Sequence, residues 1–262
     1  MKIIELHNEK KAPELTVAMP IFNGGKIGWL SIESLINQKD ITFDWELIIY
    51  EEEQENILGV EWFKSHIERL AKNRCVRIAY ITNETWVHLS EKWKRIAQNM
   101  SDTSKSFLLQ AVDDYSQPLR LAQTYEYINK KGVDWLDYRY GLFYNINNGQ
   151  SILYTGAYKT NLDMGVKAKH TKLFSITDKP KGIDGHLLKC ACSNAHHFRK
   201  HTIQRWNKGG LYTDGYNNIS KKRVNFYDRT TAPFQRTDVT PETNDMPDYI
   251  VEKLKQLTHG AN

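Results

Sequence analysis

The first half of the chain alternates short apolar runs with stretches of helical spacing, and that alternation restricts the fold more than any other feature. Leu15 to Pro20 (LTVAMP), Trp45 to Tyr50 (WELIIY), Cys75 to Ile81 (CVRIAYI) and Ser106 to Val112 (SFLLQAV) are apolar enough to be strands buried on both faces. Between them, Gly24-Gly25 turns the chain into a helix carrying Ile27, Leu30, Leu35 and Ile36, and Val60 to Lys72 and Leu89 to Met100 repeat the helical spacing. Pro118 opens a further helix, where its missing N–H leaves nothing unsatisfied. Strands alternating with helices predict an α/β sheet with parallel strands.

The second half reads differently. Trp135 to Tyr144 and Gln150 to Tyr154 alternate aromatic and polar residues around Asn147-Asn148-Gly149, which predicts a hairpin. Thr160 to Arg223 is rich in Lys, His, Gly and Asn with weak periodicity, so loops built over the sheet are expected there. Pro247 to Leu257 spaces Ile250, Val251, Leu254 and Leu257 as one stripe of a packing helix. No repeat or linker divides the chain, so one domain over residues 1–262 is expected.

Composition excludes several classes. With 40% apolar residues, 7 Trp, 14 Tyr and 9 Phe, the chain can enclose a core, which rules out disordered and fibrous classes. No apolar run approaches the roughly 20 residues a membrane span needs, and MKIIELHNEKKAPEL lacks the apolar stretch of a signal peptide. Cys75, Cys190 and Cys192 are too few for a disulfide scaffold and fit a reducing compartment, so a soluble cytoplasmic protein is expected. The 36 Lys+Arg exceed the 31 Asp+Glu by only five, less than nucleic-acid binders usually concentrate, and an anionic small-molecule substrate or a lightly basic surface explains it equally well.

Ligands of open α/β sheets collect beyond the carboxyl ends of the strands. Three of those ends are distinctive here: Pro20-Ile21-Phe22-Asn23, Glu51-Glu52-Glu53 and Asp113-Asp114. Adjacent carboxylates repel each other and lose hydration on burial, so they persist best beside a cation or hydrogen-bond donors. Mg²⁺ or Mn²⁺ takes one or two carboxylates together with substrate phosphate oxygens, which suits a nucleotide-dependent enzyme. The competing explanation for Asp113-Asp114 is a helix N-cap before Pro118.

LTVAMPIFNGG, WELIIYEEE and SFLLQAVDDYSQPLRL, in that order and spacing, resemble the GT-A nucleotide-sugar transferases, and among them the family 2 glycosyltransferases. The resemblance covers about residues 15–125. It implies a GT-A (Rossmann-like) α/β fold: a mixed sheet with helices on both faces and a loop-rich C-terminal acceptor region. Residues 15–125 would then form a nucleotide-binding half, residues 126–225 an acceptor and catalytic half, and residues 226–262 a C-terminal extension with the packing helix. It further implies that Pro20, Ile21, Phe22 and Asn23 line a nucleobase pocket and that Glu51 or Glu52 faces a uracil. Asp113 would lie near the ribose and the metal, Asp114 would coordinate the divalent cation, and Lys92 falls where the family places a base- or ribose-contacting Arg. Ile21 replaces the usual Thr, Glu replaces Asp after the second strand, and Ala111 stands where an Asp-x-Asp motif would start.

Within the same resemblance, Asp184 in KGIDGHLL occupies the place of the general base that deprotonates an acceptor hydroxyl. Asn218, Ser220 and Arg223, in WNKGGLYTDGYNNISKKR, are candidates for a loop that closes over the diphosphate. The implied activity is inverting, non-processive, metal-dependent transfer of a sugar from a nucleoside diphosphate sugar, with a UDP-sugar favoured, to a saccharide or other hydroxyl acceptor. A nucleotide-sugar-binding module without catalysis is the alternative that Ala111 favours. A nucleotidyltransferase is a third, although Gly24-Gly25 is short for its phosphate loop. Gln204-Arg205-Trp206 lacks the spacing of the processive synthase motif. His186, Cys190, Cys192, His196, His197 and His201 match no closed zinc pattern. Trp62, Trp86, Trp93 and Trp135 can stack on sugars or fill the core.

Overall fold

The structure, a computed structural model, describes residues 1–25, 27–52, 57–138, 140–145, 151–155, 164–176, 199–203, 211–214, 235–236 and 246–259. Its strands and helices follow in the order β1 (Lys2–Asn8), β2 (Leu15–Ile21), α1 (Trp29–Ile36), β3 (Trp45–Glu52), α2 (Gly59–Lys64), α3 (Ile67–Lys72), β4 (Cys75–Asn83) and α4 (Leu89–Gln98). Then come β5 (Ser106–Leu109), β6 (Asp114–Tyr115), α5 (Arg120–Thr124), a π-helical continuation Tyr125–Lys130 and β7 (Trp135–Tyr138). The remainder comprises β8 (Tyr140–Asn145), β9 (Ser151–Thr155), β10 (Gly165–Lys167), a 3₁₀ segment Ala168–Ile176, β11 (Lys200–Ile203), β12 (Leu211–Asp214), β13 (Gln235–Arg236) and α6 (Asp248–His259).

Among the described residues, eight strands form one sheet in the order β1-β4-β3-β2-β5-β10-β7-β11, and five form a second in the order β13-β9-β8-β12-β6. The neighbours β4, β3, β2 and β5 run parallel. β1 is antiparallel at one edge, and β10 lies antiparallel between β5 and β7. The large sheet is therefore mixed, as expected.

Side chains alternate across a strand, and both faces of this sheet are covered. Leu15, Val17, Met19, Trp45, Leu47 and Ile49 point to one cluster, closed by Ile32 and Leu35 of α1, Phe63 of α2 and Leu70 of α3. Ala18, Ile48 and Tyr50 point the other way, onto Trp93 and Ile96 of α4 and Phe174 of the 3₁₀ segment. Burying each such Leu, Ile or Val contributes about 1.5–3 kcal/mol, which is why uninterrupted apolar runs read so clearly as central strands.

The C-terminal helix packs as expected, with Ile250, Val251 and Leu254 buried. It is tied to α1 by Asn37 Nδ2, which donates to Tyr249 Oη at 2.6 Å, by Tyr249 Oη, which donates to Glu33 Oε2 at 2.8 Å, and by Lys253 Nζ 4.1 Å from the Trp29 ring. No helix among the described residues is long and apolar enough to cross a membrane.

Several expectations are corrected. The helix expected over Val60 to Lys72 is two short helices, because Ser65 Oγ and His66 Nδ1 both bond the Trp62 carbonyl, 2.7 and 2.9 Å away, and compete with the backbone there. The fourth strand stops at Leu109, and the helix expected at Pro118 begins at Arg120 after a turn in which Leu119 N–H donates to Gln117 Oε1 at 2.7 Å. Trp135 to Tyr144 is no single hairpin arm: β7 joins the large sheet, while β8 pairs with β9 in the second. The stretch from Thr160 to Arg223 is not only loops, since β10 and β11 enter the large sheet and β12 the second. Trp93 and Trp135 are 2% and 3% exposed, so they are core residues.

Candidate active site

The carboxyl ends of β2, β3 and β4 are held side by side, with Ile21 opposite Glu51, Glu51 opposite Thr82 and Glu52 opposite Asn83. Past β2 the chain turns sharply at Asn23, whose φ of +52° is left-handed and tolerable for Asn. Gly24 comes next. A β-carbon there would lie 2.9 Å from Ile21 Cγ2, 2.9 Å from Val112 Cγ2 and 3.3 Å from Leu58 Cδ1. Only glycine lets the turn after β2 close on Val112, the residue before Asp113, and on the chain beyond β3. The sequence segments Pro20–Asn23, Glu51-Glu52 and Asp113-Asp114 are thereby brought to one end of the sheet.

Each Glu at the end of β3 has a defined set of donors. Glu51 is 2% exposed and accepts from Leu58 N–H, Gly59 N–H and Tyr80 Oη at 2.9, 2.9 and 2.8 Å, which fixes the start of α2. Glu52, also 2% exposed, accepts from Val87 N–H at 2.6 Å and pairs with Lys92 Nζ at 3.0 Å. Lys92 Nζ also donates to the Ile21 carbonyl at 2.9 Å and lies 5.5 Å from the Phe22 ring and 5.8 Å from the Tyr50 ring. Burial pushes the Lys92 ammonium below its ordinary pKa, and the bond to Glu52 and the charges of Glu52 and Glu51 act against that shift. Ile21, Phe22, Glu52 and Lys92, far apart in sequence, thus form one contiguous floor.

Asp113 and Asp114 sit on a turn clamped from below. Gln110 N–H donates to the Ala18 carbonyl at 2.9 Å, and Gln110 Nε2 reaches the carbonyls of Ala111 and Asp114 at 3.0 and 2.9 Å. Gln110 Oε1 accepts from Ser116 Oγ and, at 3.0 Å, from Arg120 Nη1. Arg120 is 1% exposed and also donates to Ser116 Oγ at 2.6 Å and to the Leu109 carbonyl. Sequence reasoning missed Gln110 and Arg120 as turn-forming residues; their one signal is a polar side chain inside a buried strand and another inside a buried helix. Asp114 is buried within β6 and Asp113 is half-exposed. Neither caps a helix, since α5 begins at Arg120 without a side-chain cap.

Adjacent Asp carboxylates are the hard oxygen donors that Mg²⁺ and Mn²⁺ prefer. Among the described residues no group of three or more His, Cys, Asp or Glu is gathered for a metal. Two carboxylates alone fit a cation that draws its other ligands from water and substrate phosphate, so the donor set fits the implied ion as a shared rather than a caged one.

Trp86, 56% exposed, adjoins Val87 on the loop that Glu52 anchors, and its ring lies 4.5 Å from the His88 ring. Asp184, Asn218, Ser220 and Arg223 lie outside the described residues, as do His186, Cys190, Cys192, His196 and His197. For His201 the described part is its backbone in β11.

Among solved structures, TarS from S. aureus is similar to this chain. Residues 1–349 of TarS in complex with UDP-GlcNAc match at a TM-score of 0.60 and 13% identity, over 78% of this chain and 60% of that one. The same TarS fragment in complex with UDP gives 0.58 at 13% identity over 77% and 61%. Against a longer TarS structure the match covers 77% of this chain and 37% of the other, so the chain spans less than two thirds of the length of each of these TarS structures. At this identity the likeness establishes the fold, a GT-A mixed α/β sheet. No protein-family model matches the sequence, and no curated protein matches it.

Proposed function

We propose that the protein is a metal-dependent, inverting, non-processive glycosyltransferase that moves one sugar from a nucleoside diphosphate sugar, with a UDP-sugar favoured, to a hydroxyl acceptor. The observation that carries the reading is the gathering of Ile21, Phe22, Glu52, Lys92 and the Asp113-Asp114 turn at one sheet end, in a fold shared with a protein crystallised with UDP-GlcNAc. Pro20, Ile21, Phe22 and Asn23 wall the base pocket, and Lys92 holds Glu52 and the end of β2 in place beneath it. Asp113 and Asp114 hold Mn²⁺ or Mg²⁺, which when bound offsets the charge of the departing diphosphate. Asp184 takes the proton from the acceptor hydroxyl, and Asn218, Ser220 and Arg223 contribute charge-assisted bonds over the donor phosphates. The acceptor is a saccharide or another hydroxyl compound, and the working compartment is the cytoplasm.

Titration calorimetry with UDP, GDP and TDP in Mn²⁺, followed by turnover of the matching nucleotide sugars, tests this. Nucleotide binding together with transfer or donor hydrolysis is expected, and the absence of both rejects the reading. Asp184→Asn should abolish transfer and leave UDP affinity unchanged; transfer at the parent rate would remove Asp184 from the mechanism. Ala111, at the position where an Asp-x-Asp motif would start, favours a second reading, a nucleotide-sugar-binding module, which nucleotide binding without any turnover would establish.

A further inference from the structure

The opposite end of the large sheet carries a charged cluster that the proposed reaction does not use. The helical segment that ends at Lys130 gives way to Gly132, whose φ of +69° turns the chain toward β7. Two cations reach this turn from other elements. Arg199 Nη1 donates to the Lys131 carbonyl at 3.0 Å and Lys167 Nζ to the Gly132 carbonyl at 3.4 Å. A β-carbon on Gly132 would lie 3.8 Å from Arg199 Nη1 and 3.9 Å from Lys167 Nζ, so the glycine leaves open a spot within reach of both. Lys130 and Lys131 are exposed on the same turn.

Among the described residues, the charge around the turn is not balanced. Glu126 pairs with Lys131 at 3.3 Å, and Asp134 is shared by Lys169 at 3.0 Å, His170 at 2.9 Å and Arg199 N–H at 3.2 Å. Among the described residues no carboxylate lies within 4.0 Å of the Lys167 or Arg199 charge. Capping a helix C-terminus is the plain structural role for such cations, but a helix end presents only about half a negative charge. Among the described residues, Lys105, Lys130, Lys131, Lys167, Lys169 and Arg199 face Glu14, Glu126, Asp134 and that half charge, an excess of roughly two to three positive charges.

We propose that the Gly132 turn binds a phosphate group, seated between the Arg199 guanidinium and the Lys167 ammonium. Two cations already positioned by backbone carbonyls lose little freedom on binding, and the guanidinium fork matches phosphate oxygens. A soluble phosphate and an anionic lipid headgroup present the same chemistry. The turn is at the amino ends of β5 and β7, whereas the proposed nucleotide cleft is at the carboxyl ends, so this inference stands apart from the proposed function.

The test uses the full chain with UDP present, to keep the probes from the nucleotide cleft. Inorganic phosphate and pyrophosphate are titrated calorimetrically, and sedimentation is measured with phosphatidylglycerol and with phosphatidylcholine vesicles. The wild type should bind pyrophosphate, or the phosphatidylglycerol vesicles alone; the first assigns a soluble phosphate and the second a headgroup. Lys167→Gln with Arg199→Gln keeps donors for both carbonyls and should weaken that binding about tenfold, leaving UDP affinity unchanged. If the double variant fails to fold, Lys167→Gln alone carries the test, with about a threefold loss expected. Absence of binding by the wild type to every probe, or equal binding by the variants, overturns the proposal.

Discussion

At the amino end of β3, Glu46 is fully buried and surrounded by protein donors. Thr16 Oγ1 donates at 2.6 Å, Ser101 N–H and Oγ each at 2.8 Å, and Arg77 Nη1 at 2.6 Å. Asp134, before β7, is held likewise by His170, Lys169 and Arg199 N–H. At the carboxyl ends, Glu51 and Glu52 are also engaged by the protein, but the Asp113-Asp114 turn beside them has its backbone clamped while Asp113 remains half-exposed. Of these carboxylates Glu46, Glu51, Glu52, Asp114 and Asp134 are buried, whereas Asp113 reaches solvent from a stiff turn, which places it to meet a ligand. Both ends bury acidic residues, so acidity alone does not mark the site.

The sharpest way to break this contrast is on the same turn, at Asp114, the buried carboxylate proposed to hold the cation beside Asp113. Asp114→Ala should lower sugar transfer on the order of 10²–10³-fold, the loss of several kcal/mol of charge stabilisation, with the fold intact by circular dichroism. A variant that retains parent transfer would place the reactive end elsewhere.

Next in size is the buried pair Glu52–Lys92. Lys92→Met removes the ammonium that pairs with the buried Glu52 and should cost about 3–5 kcal/mol in denaturant unfolding. Combining Lys92→Met with Glu52→Leu should recover most of that stability but not UDP affinity, which separates the anchoring of the loop from the shaping of the pocket.

At the amino end, Asp134→Asn should cost about 2 kcal/mol without affecting transfer. Burial raises the Asp134 pKa, but the bonds from His170, Lys169 and the Arg199 backbone outweigh it and hold the carboxyl at about 2, below its ordinary 3.8. The folded-state value is the lower one, so the stabilisation is complete above about 3.8 and is lost as pH falls from there through about 2. Unfolding free energies measured across that range should show a weaker pH dependence in Asp134→Asn than in the parent. The smallest effect should come from the exposed Lys72–Glu68 pair, 2.8 Å apart, where Lys72→Ala is expected to leave the denaturant midpoint unchanged.

The four central strands were legible because burial on both faces demands unbroken apolar runs. β1 escaped notice because an edge strand with one wet face alternates, and KIIELHN is exposed at most of its positions. β10 escaped because Gly165–Lys167 is three residues long and its place between β5 and β7 depends on partners distant in sequence. The acidic strand ends and the Asp113-Asp114 turn were visible as motifs. The Glu52–Lys92 contact was not, since residues 40 apart meet only through the register of β3 and the rotation of α4. Gln110 and Arg120 offered only the signal of a polar residue within an apolar run, for the same reason: their shared role exists only once the turn that both support has formed.

β6 is two residues long, and one of them is Asp114; the strand pairs with β12, which pairs in turn with β8. The acidic turn that ends the first half of the chain is therefore registered by the backbone of the second half. For anyone recombining such chains, the two halves are not interchangeable cassettes. A second half transplanted from another sequence must bring a strand whose ladder matches Asp114 and Tyr115, or the acidic turn will lose its alignment however faithfully the first half folds.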